Sequence, residues 1–334
     1  MRYKNTLKLN VGDVIATAVC DSAGRVLINQ NVELSAYSIK RLADENIKGV
    51  YIYDELSDGI NPHSNLSLQT QLKAASAANK GNIDECIYLS ASIAKELENE
   101  DYIATNVNSL MGYDYATYLH STNVATYAGI MGITLGYPID RLKKLIMTGL
   151  VHDIGKTMLS KDIINNPNKL SAEQYEQIKQ HPRMGYDILK NFDLVPSVVR
   201  VSVLQHHENS DGSGYPRGLT DMEIYEFAQI IHICDVYDAM ICSRSYKKAI
   251  NPADVIEHIM ANSGKMFNSE LVKVFLSVLV PYPEGVIVQL SDDNYAIVKK
   301  NNKDYPTRPI VRLLDGTDID LTSKLDLTIL NIAV

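Results

Sequence analysis

Apolar and polar residues alternate along the first 56 residues in short runs that predict strands. The runs at 14–20 and 25–28 flank a turn that contains Gly24, so this pattern predicts a β-hairpin. Ser35 is a favourable cap for a short helix that would end at Ala43, and the apolar run at 49–53 predicts a further strand. We therefore expect residues 1–56 to form a small β-rich module.

Residues 57–100 combine a linker with a helical segment. Ser, Asn, Pro and Gly are frequent over 57–68, whereas a helical period resumes over 69–98. The apolar run is short for a dimerising coiled coil, which needs several heptads. The pattern therefore favours packing of this segment against the next part of the chain, and it leaves formation of a homodimer open.

The long middle of the chain, residues 101–280, is predicted to be almost entirely helical. Apolar residues recur at spacings of three and four over 110–131 and again over 142–150, as in helices with one buried face. Signals for helix starts agree with this interpretation: a Ser-x-x-Gln capping box begins at Ser171 and an Asn-Pro pair begins at Asn251. We expect one helical domain of this extent.

The pattern changes to a period of two after Pro281. Alternating runs at 285–290 and 295–298 predict a hairpin, a run at 309–314 precedes an Asp-Gly turn, and residues 319–332 predict one or two more strands. Residues 281–334 should therefore form a small β appendage. The predicted fold class is mainly α, with a β-rich module before the helices and a β appendage after them.

The composition excludes several classes of protein. The chain has 334 residues, of which 46% are hydrophobic and 22% charged, as in ordinary globular proteins. Since no uncharged apolar run reaches the length of a membrane span and the first residues lack a signal core, we expect a cytoplasmic protein without a membrane partner. A formal charge of −8 disfavours binding of nucleic acid polymers, although it permits a local basic pocket.

Candidate chemistry rests on histidine and aspartate. The four cysteines lack the paired spacing of thiolate metal sites, so any metal would need imidazole and carboxylate ligands. A single histidine on a helix face is more often a packed or capping residue than a ligand. Five histidines and two aspartates on successive inward faces are hard to explain as independent core residues. These candidates are His120, His152, Asp153, His181, His206, His207 and Asp235.

Three strings in the middle region resemble a known family. His-Asp-Ile-Gly-Lys at 152–156 is followed by His-Pro at 181–182 and by His-His-Glu-Asn-Ser-Asp-Gly-Ser-Gly-Tyr-Pro at 206–216. Over roughly residues 110–270 the chain resembles the HD-GYP subgroup of the HD phosphohydrolase superfamily. The resemblance implies an HD-domain helical bundle and a phosphodiesterase that opens cyclic di-GMP to the linear dinucleotide pGpG, with onward hydrolysis to GMP left open.

The resemblance also implies a role for each matching residue. His120, His152, Asp153 and Asp235 would hold one divalent metal, and Asp153, His181, His206 and His207 would hold the second, with Asp153 bridging them. Iron or manganese suits such ligands, and a hydroxide that bridges two metals could attack phosphorus in line. Lys156, Arg244 and Lys247 would bind phosphate oxygens of the substrate. Asp238 is a candidate to orient a ligating imidazole.

One position departs from part of the family. Ala116 stands where some members carry a Glu that helps to bind a third metal, so we expect two metals. Two other functions stay open. The chain could be a non-catalytic receptor for a cyclic dinucleotide, which the intact set of ligands disfavours, or a phosphodiesterase for another one, such as cyclic GMP-AMP. No short string encodes the choice of base.

Overall fold

The computed structural model describes residues 1–21, 25–104, 113–164, 166, 170–241 and 250–333. The expected turn at 22–24 and the two basic residues Arg244 and Lys247 lie outside these ranges. The fold is mainly helical, with small β-sheets before and after the helices, as the sequence predicts.

The N-terminal strands form two small antiparallel sheets. The strands are β1 Arg2–Asn5, β2 Val14–Ile15, β3 Val19–Cys20, β4 Val26–Ile28 and β5 Gly49–Tyr53. Strand β5 lies between β1 and β2 in one sheet, whereas β3 pairs with β4 in the other. The run at 14–20, predicted as one strand, is therefore divided between two sheets. The predicted pairing across the turn is present between β3 and β4.

The helices begin where the local signals place them. Helix α1 (Ala36–Asp44) starts after Ser35, whose side chain accepts a hydrogen bond from the Ser38 backbone N–H. The predicted capping box is also present, since Ser171 and Gln174 bond reciprocally at the start of α7. The other helices are α2 (Leu68–Lys80), α3 (Ile83–Glu96), α4 (Tyr113–Thr134), α5 (Ile139–Val151), α6 (Lys161–Ile164), α7 (Ala172–Ile178), α8 (His181–Leu189), α9 (Ser197–Gln205), α10 (Glu226–Ile241), α11 (Pro252–Ala261) and α12 (Ser269–Val278).

The C-terminal strands are β8 Ile287–Leu290, β9 Tyr295–Lys300, β10 Ile310–Leu313, β11 Asp318–Asp320 and β12 Ile329–Ile332. They form a five-stranded antiparallel sheet in the order β11-β10-β9-β8-β12. The tail thus supplies two strands. A short parallel pair, β6 (Ile103–Ala104) with β7 (Leu279–Val280), joins the chain just before α4 to the chain just after α12.

A continuous buried core connects the helices to both β regions. It includes Tyr3 and Tyr51 from the first sheet and Val288 from the last one. A second, smaller core lies inside the N-terminal module and includes Leu34 and Leu42. Helix α2 packs against α4 and helix α3 against α5, so the segment after the linker packs on the helices that carry His120 and His152. None of the described helices is long and apolar enough to cross a membrane.

Candidate metal centre

Helix ends supply five of the seven candidate ligands. His152 ends α5 and Asp153 opens a short 3-10 helix at Ile154–Met158, while His181 is the first residue of α8. His206 and His207 directly follow α9. The remaining two ligands come from within long helices: His120 from α4 and Asp235 from α10.

Two glycines allow these elements to approach closely. A Cβ atom on Gly155 would lie 1.9 Å from the carbonyl oxygen of His181, so the 3-10 helix packs directly on the start of α8. A Cβ on Gly149 would lie 2.5 Å from Cα of Ala125, which puts the backbones of α5 and α4 in contact. Any larger residue at either position would push the ligands apart.

The seven side chains form two adjacent groups whose ligand atoms all lie within 4.8 Å of one another in each group. One group contains Asp153, His181, His206 and His207, and the other contains His120, His152 and Asp235. Asp153 reaches both groups, since Oδ1 lies 3.3 Å from Nε2 of His181 and Oδ2 lies 3.4 Å from Nε2 of His152. The carboxylate expected to bridge two metals therefore stands between the two groups.

Hydrogen bonds fix the orientation of the imidazole rings. Nδ1 of His152, His181 and His206 lies 2.8, 2.6 and 2.7 Å from the carbonyl oxygens of Gly149, Ile178 and Val203. A carbonyl can only accept, so each Nδ1 carries the proton and each Nε2 presents a lone pair to the centre. This is the tautomer that a metal ligand requires.

The atoms that face the centre fit a cation. Nε2 of His181 and Nε2 of His206 are 3.2 Å apart, although both carry lone pairs and cannot hydrogen-bond to each other in that tautomer. Among the described residues, Nε2 of His152 and Oδ1 of Asp153 are buried without a hydrogen-bond partner. Buried polar atoms are normally paired. Divalent cations bound at the centre would provide the missing partners of these two atoms.

The charges at the centre point the same way. Burial by itself would raise the pKa of Asp153, but the Lys156 ammonium opposes it and the pKa is held well below the usual range. Burial, with His207 nearby, holds the pKa of His206 well below its usual value, which keeps that ring neutral. Burial lowers the pKa of His120, yet Asp235 and Asp238 outweigh it and raise the pKa to about 9. The group around His120 thus attracts positive charge.

Asp238 orients His120 as the sequence suggests, and a residue that the sequence analysis missed supports it. Oδ2 of Asp238 lies 2.7 Å from Nδ1 of His120, and Oδ1 accepts a hydrogen bond of 2.9 Å from Nδ2 of Asn123. Asn123 is buried on α4, one turn after His120. Its spacing from His120 was the only available sequence signal, and an asparagine at that spacing is not specific.

The Gly-rich loop beside His207 has the irregular shape that its composition predicts. Gly212 and Gly218 adopt positive φ angles of 81° and 67°, which other residues rarely adopt. The sequence analysis gave no role to Glu208, which is 2% exposed and accepts hydrogen bonds from the backbone N–H groups of Arg217 and Leu219. Its buried carboxylate thus holds the loop against the histidine pair.

Of the three predicted phosphate-binding residues, one is within the described part of the chain. Nζ of Lys156 donates to Oδ2 of Asp153 at 2.5 Å, and its side chain is 35% exposed, so the ammonium lies between the centre and solvent. Arg244 and Lys247 fall within 242–249, outside the described residues. His232, which the sequence gave no special role, is buried beside His207 with ring centroids 6.2 Å apart, and burial lowers its pKa to about 4.

Comparison with known proteins agrees with this architecture. Residues 96–271 match the HD domain family, a little over half of the chain, so the chain belongs to that family. The solved structure of Bd1817, an HDG"Y"P protein from Bdellovibrio bacteriovorus, covers 82% of this chain and 97% of its own, with a TM-score of 0.51 and 17% identity. At that identity the likeness establishes the fold alone.

Three curated relatives are 32–37% identical to part of this chain. A cyclic di-GMP phosphodiesterase of Pseudomonas aeruginosa is 34% identical over 185 residues, which cover 55% of this chain and 44% of that protein. One from Thermotoga maritima is 32% identical over 200 residues, 58% of this chain and 54% of that protein. The 3'3'-cGAMP-specific phosphodiesterase 1 of Vibrio cholerae is 37% identical over 141 residues, which cover 42% of this chain and 32% of that protein. The chain thus spans about half the length of the first two relatives and about a third of the length of the last one.

Proposed function

We propose that this chain is a metal-dependent phosphodiesterase that hydrolyses cyclic di-GMP to linear pGpG. The observation that carries the proposal is the pair of adjacent ligand groups with the Asp153 carboxylate between them. The names of the relatives from Pseudomonas aeruginosa and Thermotoga maritima support the choice of substrate. A receptor that only binds the dinucleotide would not need seven ligand side chains gathered in two adjacent groups.

The two groups would hold two divalent ions. His120, His152, Asp153 and Asp235 would bind the first, and Asp153, His181, His206 and His207 the second. We propose iron or manganese, because imidazole and carboxylate ligands suit both. Two such ions, when bound, would activate a water at neutral pH and neutralise charge on the phosphoryl group.

The chain's own residues position the substrate. Lys156 lies at the solvent side of the centre and can hold a non-bridging phosphate oxygen once the Asp153 carboxylate faces the metals. We propose that Arg244 and Lys247 hold the second phosphate. The half-buried ring of Tyr215 stacks on His207, with centroids 4.9 Å apart and planes at 26°, and so shields one side of the centre from water.

The first test is hydrolysis by protein purified without oxygen and loaded with iron or manganese. Chromatography should show metal-dependent loss of cyclic di-GMP and accumulation of pGpG. In Asp153→Ala the activity and the bound metal should both fall to background, because both ligand groups lose a member. Asp140→Ala is the matched control, since that side chain is 84% exposed at the start of the same helix that leads to Asp153.

Other outcomes would redirect the assignment. Binding of cyclic di-GMP without cleavage by fully loaded protein would favour a receptor. The 37% identity with a 3'3'-cGAMP-specific phosphodiesterase favours cyclic GMP-AMP as the second substrate to test. If that molecule is cleaved while cyclic di-GMP is not, the reaction class stands and the substrate is corrected.

A further inference from the structure

A row of side chains leads from the candidate metal ligand His207 to the surface. The ring of Tyr215 stacks on His207, as described above. Nζ of Lys179 lies 5.8 Å from the ring centroid of Tyr215 and 4.9 Å from the ring centroid of Tyr175. Aromatic rings and one cation therefore alternate outward from the centre, within the range of cation–π contact.

The outer end of this row is both accessible and held in place. Tyr175 is 49% exposed, whereas the side chain of Lys179 is 28% exposed. Oε1 of Glu176 accepts a hydrogen bond of 2.6 Å from Nζ of Lys179, and this contact keeps the ammonium near both rings. The capping box at Ser171 fixes the start of the helix that carries Tyr175. The arrangement therefore exists before any ligand arrives.

We infer that Tyr175 and Lys179 form a guanine-recognition site for the substrate, an inference that rests on the proposed function. The exposed ring of Tyr175 offers a face on which a nucleobase can stack. The ammonium of Lys179 is a pure donor, and guanine presents two acceptors, O6 and N7, on one edge. Adenine presents an amino group in place of O6, so the same ammonium would meet a donor there.

The position of the site suits a dinucleotide whose phosphate lies at the centre. Three consecutive contacts connect His207 to Tyr215, Tyr215 to Lys179, and Lys179 to Tyr175. Two side chains therefore stand between the candidate metal ligand and the exposed ring. A base attached to the phosphate that reacts could reach this row along the surface. Lys179 would then discriminate between bases, which the metal centre cannot do because it acts on the phosphate.

The test compares steady-state kinetics on cyclic di-GMP, on cyclic di-AMP and on bis(p-nitrophenyl) phosphate, which has no base. Tyr175→Ala should raise KM for cyclic di-GMP about tenfold at unchanged kcat, and Tyr175→Phe should keep the normal KM, because stacking needs only the ring. Lys179→Met should lower kcat/KM for cyclic di-GMP about tenfold and leave cyclic di-AMP unchanged, and Lys179→Arg should restore the preference. Hydrolysis of bis(p-nitrophenyl) phosphate should be normal in all four variants.

Two matched controls separate recognition from general surface effects. Tyr88→Ala removes a tyrosine that is 72% exposed on α3, and Lys273→Met removes a lysine paired with Glu270 at the same spacing as Lys179 with Glu176. Both controls should behave as the unchanged protein. An unaltered KM for cyclic di-GMP in Tyr175→Ala, or an equal loss on all three substrates, would overturn the inference while the proposed function stands. If the unchanged protein does not cleave cyclic di-GMP, the proposed function fails and the inference with it.

Discussion

At the scale of single residues, the candidate ligands depend on partners that hold them. The carboxylate of Asp238 contacts His120 with one oxygen and Asn123 with the other, so Asn123 fixes the position of a group that itself fixes an imidazole. Such supporting contacts commonly change metal affinity by about 10- to 100-fold when they are removed. Asn123 is therefore a positioning residue for the His120 group.

We expect Asn123→Ala to weaken metal binding at the group that contains His120. Loss of the amide removes the hydrogen bond from Asn123 to Oδ1 of Asp238, so the carboxylate and the imidazole that it contacts are held less firmly. Titration with Mn²⁺ should show one of two binding steps weakened about 10- to 100-fold. Asn191→Ala is the control, because that exposed amide, in the turn after α8, donates to the carbonyl oxygen of Asp187 and lies on no metal ligand. Equal weakening of both steps, or none, would contradict this role.

Some of the site could be predicted from the sequence because its ligands lie in short strings. The His-Asp pair at 152–153 and the His pair at 206–207 each follow a helix directly, so local pattern was enough to single them out. The contacts of Asn123 and Lys179 join residues from different helices or from a helix and a loop. No local pattern carries such contacts, since they arise only when distant elements pack.

At the scale of elements, close backbone contact positions the ligands. The 3-10 helix that follows Asp153 packs on the first residue of α8 at Gly155, where even a methyl group would meet the His181 carbonyl oxygen at 1.9 Å. The nearest atoms, in the carbonyl group of His181 and the backbone nitrogen of Gly185, all belong to backbone, so the contact cannot be relieved by a rotamer change. Gly155 therefore sets the distance between Asp153 and His181.

Gly155→Ala should separate the 3-10 helix from α8. We expect a fall in the free energy of unfolding of at least the ~1–3 kcal/mol that is typical of overpacking, together with loss of metal binding by the His181 group. Chemical denaturation and metal analysis would measure the two effects. Met158→Ala changes an exposed residue of the same 3-10 helix and should alter neither quantity. Normal metal content in Gly155→Ala would show that α8 can shift without moving His181.

A charged cluster joins three strands of the C-terminal sheet and makes its stability depend on pH. Arg312 of β10 donates to Asp318 of β11 at 2.8 Å, and Lys299 of β9 also contacts that carboxylate. Arg312, with a smaller effect of Lys299, lowers the pKa of Asp318 to about 2. A carboxyl group whose pKa is lower in the folded state stabilises the fold above its unfolded pKa and loses this effect as the pH falls.

We expect Asp318→Asn to reduce stability at pH 6 and to match the unchanged protein increasingly well as the pH falls from about 4 towards 2. The difference at pH 6 should be at most about 1 kcal/mol, because Asp318 is partly exposed and solvent screens the pair. Urea denaturation at several pH values would measure it. Asp304→Asn, an exposed carboxylate in the loop between β9 and β10, is the comparison. A constant difference across the pH range would contradict the assignment.

The division of the run at 14–20 into β2 and β3 was not predictable from its pattern. The Ile15 N–H donates to the Val32 carbonyl oxygen and the Ala16 N–H donates to the Tyr51 carbonyl oxygen. These long-range bonds direct the chain from one sheet to the other, whereas the run itself is apolar except for Thr17 and carries no turn signal. By contrast, the strand at 49–53 was predicted with its observed bounds because it is buried along most of its length.

At the scale of the whole molecule, the two β regions contact each other beside the helices. The Tyr3 N–H donates to the Gly285 carbonyl oxygen at 2.8 Å, and the Tyr51 hydroxyl donates to the Glu284 carbonyl oxygen at 3.1 Å. Gly285 has a φ of 83°, and a Cβ there would lie 2.8 Å from the carbonyl oxygen of Met1. Strand β1 therefore packs directly against the loop that precedes β8.

Gly285→Ala should loosen the N-terminal sheet from the rest of the molecule. We expect faster cleavage by trypsin within residues 1–56 and faster amide exchange in β1. Gly316→Ala is a close control, since Gly316 also has a positive φ, 92°, but a Cβ there would meet nothing within 4 Å. Gly316→Ala would therefore introduce the same strain of a positive φ without a clash with a neighbouring strand. Equal effects of the two substitutions would show that strain alone is responsible.

The facing lone pairs of His181 and His206 make the stability of the folded protein in a cell depend on the supply of metal. Their carbonyl partners hold both rings in place, so the folded chain keeps two repelling nitrogens together until a cation separates them. Cations that bind only the folded form then stabilise it in proportion to the logarithm of their concentration. Chains made during metal scarcity should unfold and be degraded more readily, so that metal supply would set how much of the protein accumulates as well as how active it is.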